Sequence, residues 1–256
     1  MNRKRPRYDD MDIVEFQPIR KKFKKNIYKR KRRNSYSNNN NNNNMNNIRI
    51  GGFLGIENKF VDYDVAGSIA NTIAGGPSVP ANNCLNGVAQ GDGESQRDGR
   101  RYKMNSLHIR GALLQSNFTG AAVPEGSIVR IAVVIDTQTN GAAMNPADCF
   151  KAIGGVGEQA YSFRNLQYSG RFVVLFDKSY TLTHRAGAGD GTTNDFQGED
   201  KQFKINIKIP EKYSVVDTTG TTDNVNVITD NSIHLIAWKN GSDVRLEYVS
   251  RLRFVG

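Results

Sequence analysis

The sequence is poor in the residue types from which most catalytic and metal sites are built. Its 256 residues include three histidines, two cysteines and one tryptophan. His108, His184 and His234 lack the spacing of metal ligands, and there is no Cys-x-x-Cys pair, Gly-rich phosphate loop before a helix or Gly-x-Ser-x-Gly elbow. Catalysis requires positioned acid, base or nucleophilic groups. We therefore expect a protein that is not an enzyme, with ordinary strand or surface histidines.

Disulfide frameworks and membrane spans are also missing from the pattern. Cys84 and Cys149 are too few for a framework, and we predict that both are reduced, buried structural residues. No run approaches the ~20 apolar residues of a membrane-spanning helix. The basic N-terminus lacks the apolar stretch of a signal peptide. We expect a soluble protein, made inside the cell, with no membrane partner.

Positive charge is abundant, and its location is informative. The net charge is +10. Residues 1–33 carry 14 Lys and Arg against four acidic side chains, whereas the remaining 223 residues hold 21 basic and 21 acidic ones. The N-terminal segment thus accounts for the whole net charge, and the body is neutral. A basic segment tethered to a neutral domain is typical of a protein that binds a polyanion.

We predict that residues 1–33 form a basic nucleic-acid-binding arm, kept disordered in the free protein by its own repulsion. The run also fits a nuclear-import signal. Pro18 and the spacing of Ile19, Phe23 and Ile27 equally fit an amphipathic helix over 18–33 that forms on phosphates. The side chains expected to contact nucleic acid, with two aromatic rings for base stacking, are Arg3, Lys4, Arg5, Arg7, Arg20, Lys21, Lys22, Phe23, Lys24, Lys25, Tyr28, Lys29, Arg30, Lys31, Arg32 and Arg33.

Residues 34–47 are dominated by asparagine, with seven in a row from 38 to 44. Such a tract cannot bury apolar surface, and it competes poorly for helix or sheet. We predict a flexible linker that lets the arm reach away from the body.

The body, residues 48–256, shows the patterns of strands rather than helices. Alternating or β-branched apolar runs predict eight strands, at 58–65, 84–89, 103–116, 127–136, 171–182, 202–209, 231–239 and 244–254. One short helix is predicted over 145–153 and a Gly/Asp/Thr loop over 184–199. Asn240-Gly241 predicts a two-residue hairpin between the last two strands. Eight antiparallel strands without helical crossovers predict an all-β, two-sheet jelly roll without a second domain.

The stretch from Gln90 to Gln115 joins a charged, Gly-containing loop to the longest alternating strand. Its core reads GESQRDGRRYKMNSLHIRG. This pattern and the layout of residues 55–256 resemble the capsid proteins of small icosahedral viruses of the satellite tobacco necrosis virus type, which recur among viruses with circular single-stranded DNA. The arm resembles that family only in being basic and flexible.

The resemblance implies a jelly roll with strands B to I in chain order. It implies self-assembly into a small icosahedral shell, in the simplest case with T = 1 symmetry and about 60 copies. The expected partners are further copies of the chain, a single-stranded viral genome and the host nuclear-import machinery. The expected locations are the virion and, during assembly, the host nucleus or cytoplasm.

The charged loop before the longest strand has two interpretations. Arg97, Arg100, Arg101 and Lys103 form either an inward-facing patch that contacts the genome or a subunit contact, or else Arg97 and Arg100 pair with Asp92, Glu94 or Asp98 to hold the turn. Arg251 and Arg253 share one strand face, and the same two interpretations, a genome or subunit contact and a structural ion pair, apply to them. No cofactor is expected. The acids Asp190, Asp195, Glu199 and Asp200 are interpreted as a solvated loop, with structural Ca²⁺ as the less favoured alternative that similar capsids suggest.

Two functions remain open. The first is a capsid subunit that packages its genome through the arm. The second is a non-capsid nucleic-acid-binding β-domain with a basic tail. A dedicated single-strand binder should carry basic and aromatic residues across one sheet face. The neutral body favours the capsid.

Overall fold

The computed structural model describes residues 58–71, 84–120, 126–151, 160–186 and 194–256. All of them belong to the unit Arg49–Gly256. The predicted arm (1–33) and linker (34–47) lie outside the described residues, so these assignments stay predictions. No helix in the described part of the chain has the length and apolar character needed to cross a bilayer.

Strands dominate the described residues, which confirms the all-β prediction. They are β1 (Asn58–Ser68), β2 (Arg101–Gln115), β3 (Phe118–Gly120), β4 (Ser127–Asp136), β5 (Phe172–Leu182), β6 (His184–Ala186), β7 (Asn194–Gly198), β8 (Asp200–Lys208), β9 (Val215–Asp217), β10 (Ser232–Asn240) and β11 (Val244–Val255). Helical structure in the described ranges includes α1 (Pro146–Cys149) and short 3₁₀ turns at Leu166–Tyr168, Glu211–Tyr213 and Val225–Val227.

Two antiparallel sheets form the framework. The first has the strand order β1-β11-β2-β8, with β9 paired to the beginning of β2. We call it the BIDG sheet, because β1, β11, β2 and β8 take the jelly-roll letters B, I, D and G. The second has the order β10-β4-β5 and is called the HEF sheet, because these strands take the letters H, E and F. The chain crosses from one sheet to the other between β2 and β4, between β5 and β8, between β9 and β10, and between β10 and β11, whereas β4 and β5 are neighbours in one sheet. Such crossings between two antiparallel sheets are typical of a jelly roll. A small third sheet, β3-β7-β6, was not predicted.

The inner faces of the two framework sheets share one hydrophobic core. Leu107 and Ile109 of β2 contribute to it from the first sheet, and Ile131 and Val133 of β4 contribute from the second; all four are fully buried. At about 25 cal/mol per Å² of apolar surface removed from water, such burial is the main favourable contribution to folding. The BIDG and HEF sheets therefore pack face to face.

A β-bulge changes the predicted alternation in β2. The register with β11 pairs Arg253 with Ser106 but Phe254 with Met104, so Asn105 is the extra residue. Met104 and Tyr102 are consequently buried on the same side as Leu107. Strict period-two alternation places Met104 on the same face as Ser106 and His108, opposite Leu107, and a bulge is the feature that reverses such a parity.

The predicted strand at 84–89 is wrong. The segment is irregular, and it forms hydrogen bonds to the edge of β10 without being a strand itself. Leu85 donates its backbone N–H to Ile233 O at 2.7 Å, and the Asn86 side chain accepts from Ile233 N at 2.8 Å and donates to Asn231 O at 3.0 Å. A buried amide side chain thus replaces part of a strand ladder, which alternation alone does not reveal.

The prediction of a two-residue hairpin at Asn240-Gly241 is also wrong. β10 pairs with β4, whereas β11 pairs with β1 and β2, so the turn carries the chain from one sheet to the other. Gly241 has φ +99°, and an added Cβ would lie 2.2 Å from Gly126 O. The dipeptide correctly predicts a tight turn with a glycine-dependent backbone, but pairing of the flanking strands is decided by the core.

Two further predictions need correction in length. The helix predicted over 145–153 is confined to Pro146–Cys149, because Phe150 leaves it to bridge Arg164. The loop predicted over 184–199 contains the short strands β6 and β7, which pair with each other. Both are local structures too short for sequence periodicity to specify.

Candidate nucleic-acid interface

Arg97, predicted as part of a surface patch, is buried. Its side chain is fully enclosed, and its guanidinium donates to three backbone carbonyls, those of Val88 (2.9 Å), Gly99 and Gly220. Burial lowers the pKa of this guanidinium. Arg97 therefore fastens the 90–101 loop to the 218–221 turn. It neither faces a genome nor pairs with Asp92, Glu94 or Asp98.

The other loop cations are at the surface but are already engaged. Arg100 donates through Nε to Thr218 O at 3.3 Å. Arg101 forms an exposed ion pair with Asp217, which raises the pKa of the arginine through a direct hydrogen bond. Lys103 lies 3.2 Å from Glu211 Oε1. Exposed pairs of this kind contribute ~0–1 kcal/mol, and a genome or subunit role for these three residues stays a prediction.

The outward face of the BIDG sheet carries a second set of cations. Cross-strand register aligns Lys204 with Arg110 and Val249, and one step along it aligns Asn206 with His108 and Arg251. One step further, Lys208 aligns with Ser106 and Arg253. Because residues directly opposite on antiparallel strands project to the same side, these three rows form one surface, here called the basic face.

Acidic side chains balance only part of the basic face. Asp62 of β1 accepts a bidentate pair from Arg251, with Nε to Oδ1 at 2.7 Å, and Glu247 pairs with Arg245 at 3.0 Å. Arg110, Lys204, Lys208 and Arg253 are exposed, and within the described ranges none of them forms an ion pair. The neutral total of the body therefore conceals a local excess of positive charge.

The basic face is indented rather than flat. A depression of about 320 Å³ is lined by Asp62, His108, Arg110, Val249, Arg251 and Arg253. Arg110 and Val249 also line an adjoining groove of about 630 Å³ that extends to Lys204 and Gln202 of β8. Beside it, the guanidinium of Arg251 lies 4.8 Å from the centroid of the Phe60 ring, which is 38% exposed. Cations, an accessible ring and the acids Asp62, Asp64 and Glu247 thus border two adjoining depressions.

The outward face of the HEF sheet is covered. A second hydrophobic cluster combines Ile236 and Trp238 of β10 with Met144, Cys149 and Phe150 from the segment that follows β4. The Phe150 and Trp238 rings lie 4.9 Å apart. We call the described part of this connection, residues 139–151 and 160–171, the covering segment.

One arginine fastens the covering segment to the HEF sheet. Arg130 of β4 lies about 5 Å from the ring centroids of Phe150 and Trp238 and makes two 2.7 Å hydrogen bonds to Asp177 of β5. It also donates to Ser162 O. Such a bidentate, ring-stacked arginine combines electrostatic and packing contacts that lysine could not reproduce.

The acids considered for calcium are arranged otherwise. Glu199 accepts hydrogen bonds from the backbone N–H (3.0 Å) and hydroxyl (3.2 Å) of Thr183, which lower its pKa. Asp190 lies outside the described residues. The described residues hold no group of three or more His, Cys, Asp or Glu placed to share a metal ion.

The three histidines occupy three different environments. His108 lies on the basic face, His184 contacts Ser116 O at 3.1 Å, and His234 is buried beside Ser232 Oγ at 2.8 Å. They do not converge. The sequence-based interpretation singled out none of Arg110, Lys204 and Lys208, although the alternation of β8 already placed its lysines on a polar face. Only the pairing of β8 with β2 brings them beside Arg110.

Comparison with known proteins gives no family assignment. No protein-family model matches the chain, and no curated protein matches it. Among solved structures, a 60-mer of the BFDV capsid protein aligns with 77% of this chain and 93% of its own, at 6% identity and a TM-score of 0.22. A parvovirus (densovirus) from Galleria mellonella aligns with 77% and 84%, at 9% identity and a TM-score of 0.24. At these scores the alignments carry no argument about function.

Proposed function

We propose that this chain is a viral capsid subunit that self-assembles into a small icosahedral shell of about 60 copies and packages single-stranded nucleic acid through residues 1–33. The observation that carries the proposal is the combination of a jelly-roll body with a net charge confined to one end. A closed shell needs subunits that do not repel one another at their contacts, together with cations that neutralise the packaged phosphates. The role is structural, without catalysis.

Self-association requires accessible apolar surface, and the covering segment provides it. Tyr161, Phe163, Leu166 and Tyr168 are exposed, with 78% of the Phe163 and Leu166 surfaces accessible. Their backbone is held in place, since Lys151 N donates to Phe163 O at 2.9 Å and Asn165 N donates to Cys149 O at 2.8 Å. Clusters of this kind on soluble proteins commonly mark protein interfaces. We propose that residues 161–168 form a subunit contact.

Electron microscopy of the purified full-length protein tests the shell. We expect closed particles of uniform diameter. The double substitution Phe163→Asp and Leu166→Asp should abolish them while leaving circular dichroism and thermal unfolding near wild type, because both side chains are exposed. Phe163→Leu with Leu166→Met is the matched control, which keeps apolar character and should assemble. Normal particles from the Asp variant would remove residues 161–168 from the contact.

The arm is tested by its deletion. Particles lacking residues 1–33 should show a lower 260/280 nm absorbance ratio than full-length particles, because the whole net charge is removed. Since each phosphate contact releases counterions, nucleic-acid binding by the full-length chain should also weaken steeply with added salt. An unchanged absorbance ratio would move the packaging role to the body.

One observation favours the second candidate function, a nucleic-acid-binding β-domain that forms no shell. The basic face places unpaired cations and an accessible aromatic ring across one sheet, which is the arrangement expected of a single-strand binder. Microscopy separates the two. If only monomers or small irregular oligomers form at all protein concentrations while oligonucleotides bind tightly, the β-domain function replaces the capsid.

A further inference from the structure

We propose that the basic face is a second phosphate-binding site for single-stranded nucleic acid, separate from the N-terminal arm and centred on Arg110 and Arg253. This inference deepens the proposed function, because it adds a genome contact on the body itself. It rests on the rows of aligned side chains, on the depressions beside them and on central cations that form no ion pair with any residue that the structure describes.

The spacing of the basic face suits a chain of phosphates. Lys204 and Arg110 lie directly opposite each other on neighbouring strands. In a second row, Ser106 of β2 lies between Lys208 of β8 and Arg253 of β11. Strands in a sheet are separated by ~4.8 Å, and side chains on one face repeat every ~6.6 Å along each strand. The cations therefore form two cross-strand rows, Lys204 with Arg110 and Lys208 with Arg253, two side-chain repeats (~13 Å) apart. A flexible single strand can lie across both rows without any fixed base sequence.

Ion pairing within the face does not account for these cations. Arg251 is used by Asp62, Arg245 by Glu247 and Arg101 by Asp217. Exposed ion pairs of this kind are common on protein surfaces and do not by themselves indicate a binding site. Arg110 and Arg253 differ, since both are exposed, both line the 320 Å³ depression, and no ion pair involving either occurs in the described ranges. Two acids border the adjoining groove with Arg110: Asp64, on the far side of Val249, and Glu247, which is paired with Arg245.

A base can be accommodated beside the phosphates. The exposed ring of Phe60 lies at the edge of the face, stacked against Arg251. The Phe60–Arg251 stack offers a planar surface of the type on which unpaired bases stack, typically without sequence preference. The site is therefore expected to bind single-stranded DNA and RNA alike, and to prefer them to duplex.

The test uses full-length protein with the double substitution Arg110→Ala and Arg253→Ala. Its matched control is Lys151→Ala with Lys178→Ala, which removes two exposed cations from the HEF side. The probe is a fluorescein-labelled thymidine homopolymer of roughly 20 nucleotides, titrated by anisotropy at several salt concentrations. We expect the basic-face variant to bind about tenfold more weakly and to lose about 1.4 from its log–log salt slope, since each phosphate contact on a single strand contributes about 0.7. The control, which has the same net charge, should keep the wild-type slope.

A protection experiment checks the position of the bound strand. Lys204 and Lys208 should be shielded by the oligonucleotide from acetylation with acetic anhydride, whereas Lys151 should remain fully reactive. Equal weakening in both double variants would overturn the site, because a general loss of charge would then explain the result. Equal acetylation of Lys204 with and without oligonucleotide would overturn it as well.

The site and the shell can fail separately. Particles in the microscope, combined with wild-type binding by the basic-face variant, would reject the site and keep the capsid. Absence of particles, combined with weakened binding by that variant alone, would reject the capsid and keep the site. Thermal unfolding of both variants should match wild type, because all four substituted side chains are exposed.

Discussion

The BIDG and HEF sheets share one core, but their outward faces differ in what contacts them. On β2 and β11 the outward side chains are exposed and include Arg110 and Arg253 without ion pairs in the described ranges. On β4 and β10 the outward side chains are covered by Met144, Cys149 and Phe150 and fastened by Arg130. The same kind of residue thus serves two purposes, because a solvated arginine is available to a ligand whereas a stacked and paired one stabilises the fold.

Arginine environment, rather than arginine count, separates the two regions. Arg97 and Arg130 are committed to carbonyl, carboxylate and ring partners within the subunit. Their donors are already satisfied, so a phosphate would have to displace internal hydrogen bonds to reach them. On the basic face, by contrast, Arg110 and Arg253 form no ion pair within the described part of the chain. Four changes would break or sharpen this contrast, beginning with the largest expected effect.

Phe150→Ala should destabilise the HEF side most. The ring is fully buried against Trp238, and removal of such a ring typically costs ~3–5 kcal/mol of unfolding free energy. Urea denaturation measures the change, and Phe163→Ala, at a 78% exposed position of the same segment, should stay within ~0.5 kcal/mol of wild type. A small effect at Phe150 would mean that the covering segment does not stabilise the sheet.

Arg97→Met should be nearly as severe. The substitution keeps an apolar chain of similar length but leaves three carbonyls without their donor, at a cost of about 3 kcal/mol. Lys103→Met, which breaks only an exposed pair, is the control and should cost ~1 kcal/mol or less. Equal stability of the two variants by thermal denaturation would contradict the internal role assigned to Arg97.

A matched pair of Asp→Asn changes compares the two sheets directly. Asp177→Asn weakens the clamp on Arg130, whose side chain is 13% exposed, and should cost ~1–3 kcal/mol. Asp62→Asn releases Arg251, which is 47% exposed, and should cost under ~1 kcal/mol while strengthening oligonucleotide binding slightly. Similar losses of stability, or weaker binding by Asp62→Asn, would erase the distinction between the faces.

The smallest expected effect is a pH dependence from the cysteines. Burial raises the pKa of Cys84 and of Cys149 from the ordinary thiol value of 9.0 to about 12. The unfolded chain therefore releases these protons before the folded one, so the unfolding free energy should fall as pH rises from about 8 towards 10. The Cys84→Ala/Cys149→Ala variant should show a flatter profile in urea denaturation.

Thiol labelling extends the same comparison. Both cysteines should resist alkylation at pH 8 in the folded protein and react after unfolding, since the thiolate is the reactive form. In the Phe150→Ala variant, Cys149 should become reactive before Cys84, because only Cys149 shares a hydrophobic cluster with Phe150. Simultaneous labelling of both would indicate that the two hydrophobic clusters open together.

The amino-acid sequence by itself determined the fold class and most of the strands. Ser127–Asp136 and the polar alternation of β8 were read directly, because periodicity of two and β-branched composition encode a strand and its buried side. The division of charge between the first 33 residues and the body was equally visible. These properties depend on local order and composition, which a sequence carries in full.

Only the tertiary structure decided which strands are neighbours and which cations are free. Asn240-Gly241 marks a turn, yet the core places β10 and β11 in different sheets. The charged loop around Arg97 predicts a surface cation, but in the fold its guanidinium is buried and donates to the carbonyls of Val88 and Gly220. Arg110 and Arg253 are 143 residues apart in the numbering, with Lys204 between them, and only strand register brings the three together. Long-range pairing is set by burial of the whole core, and no short segment contains that information.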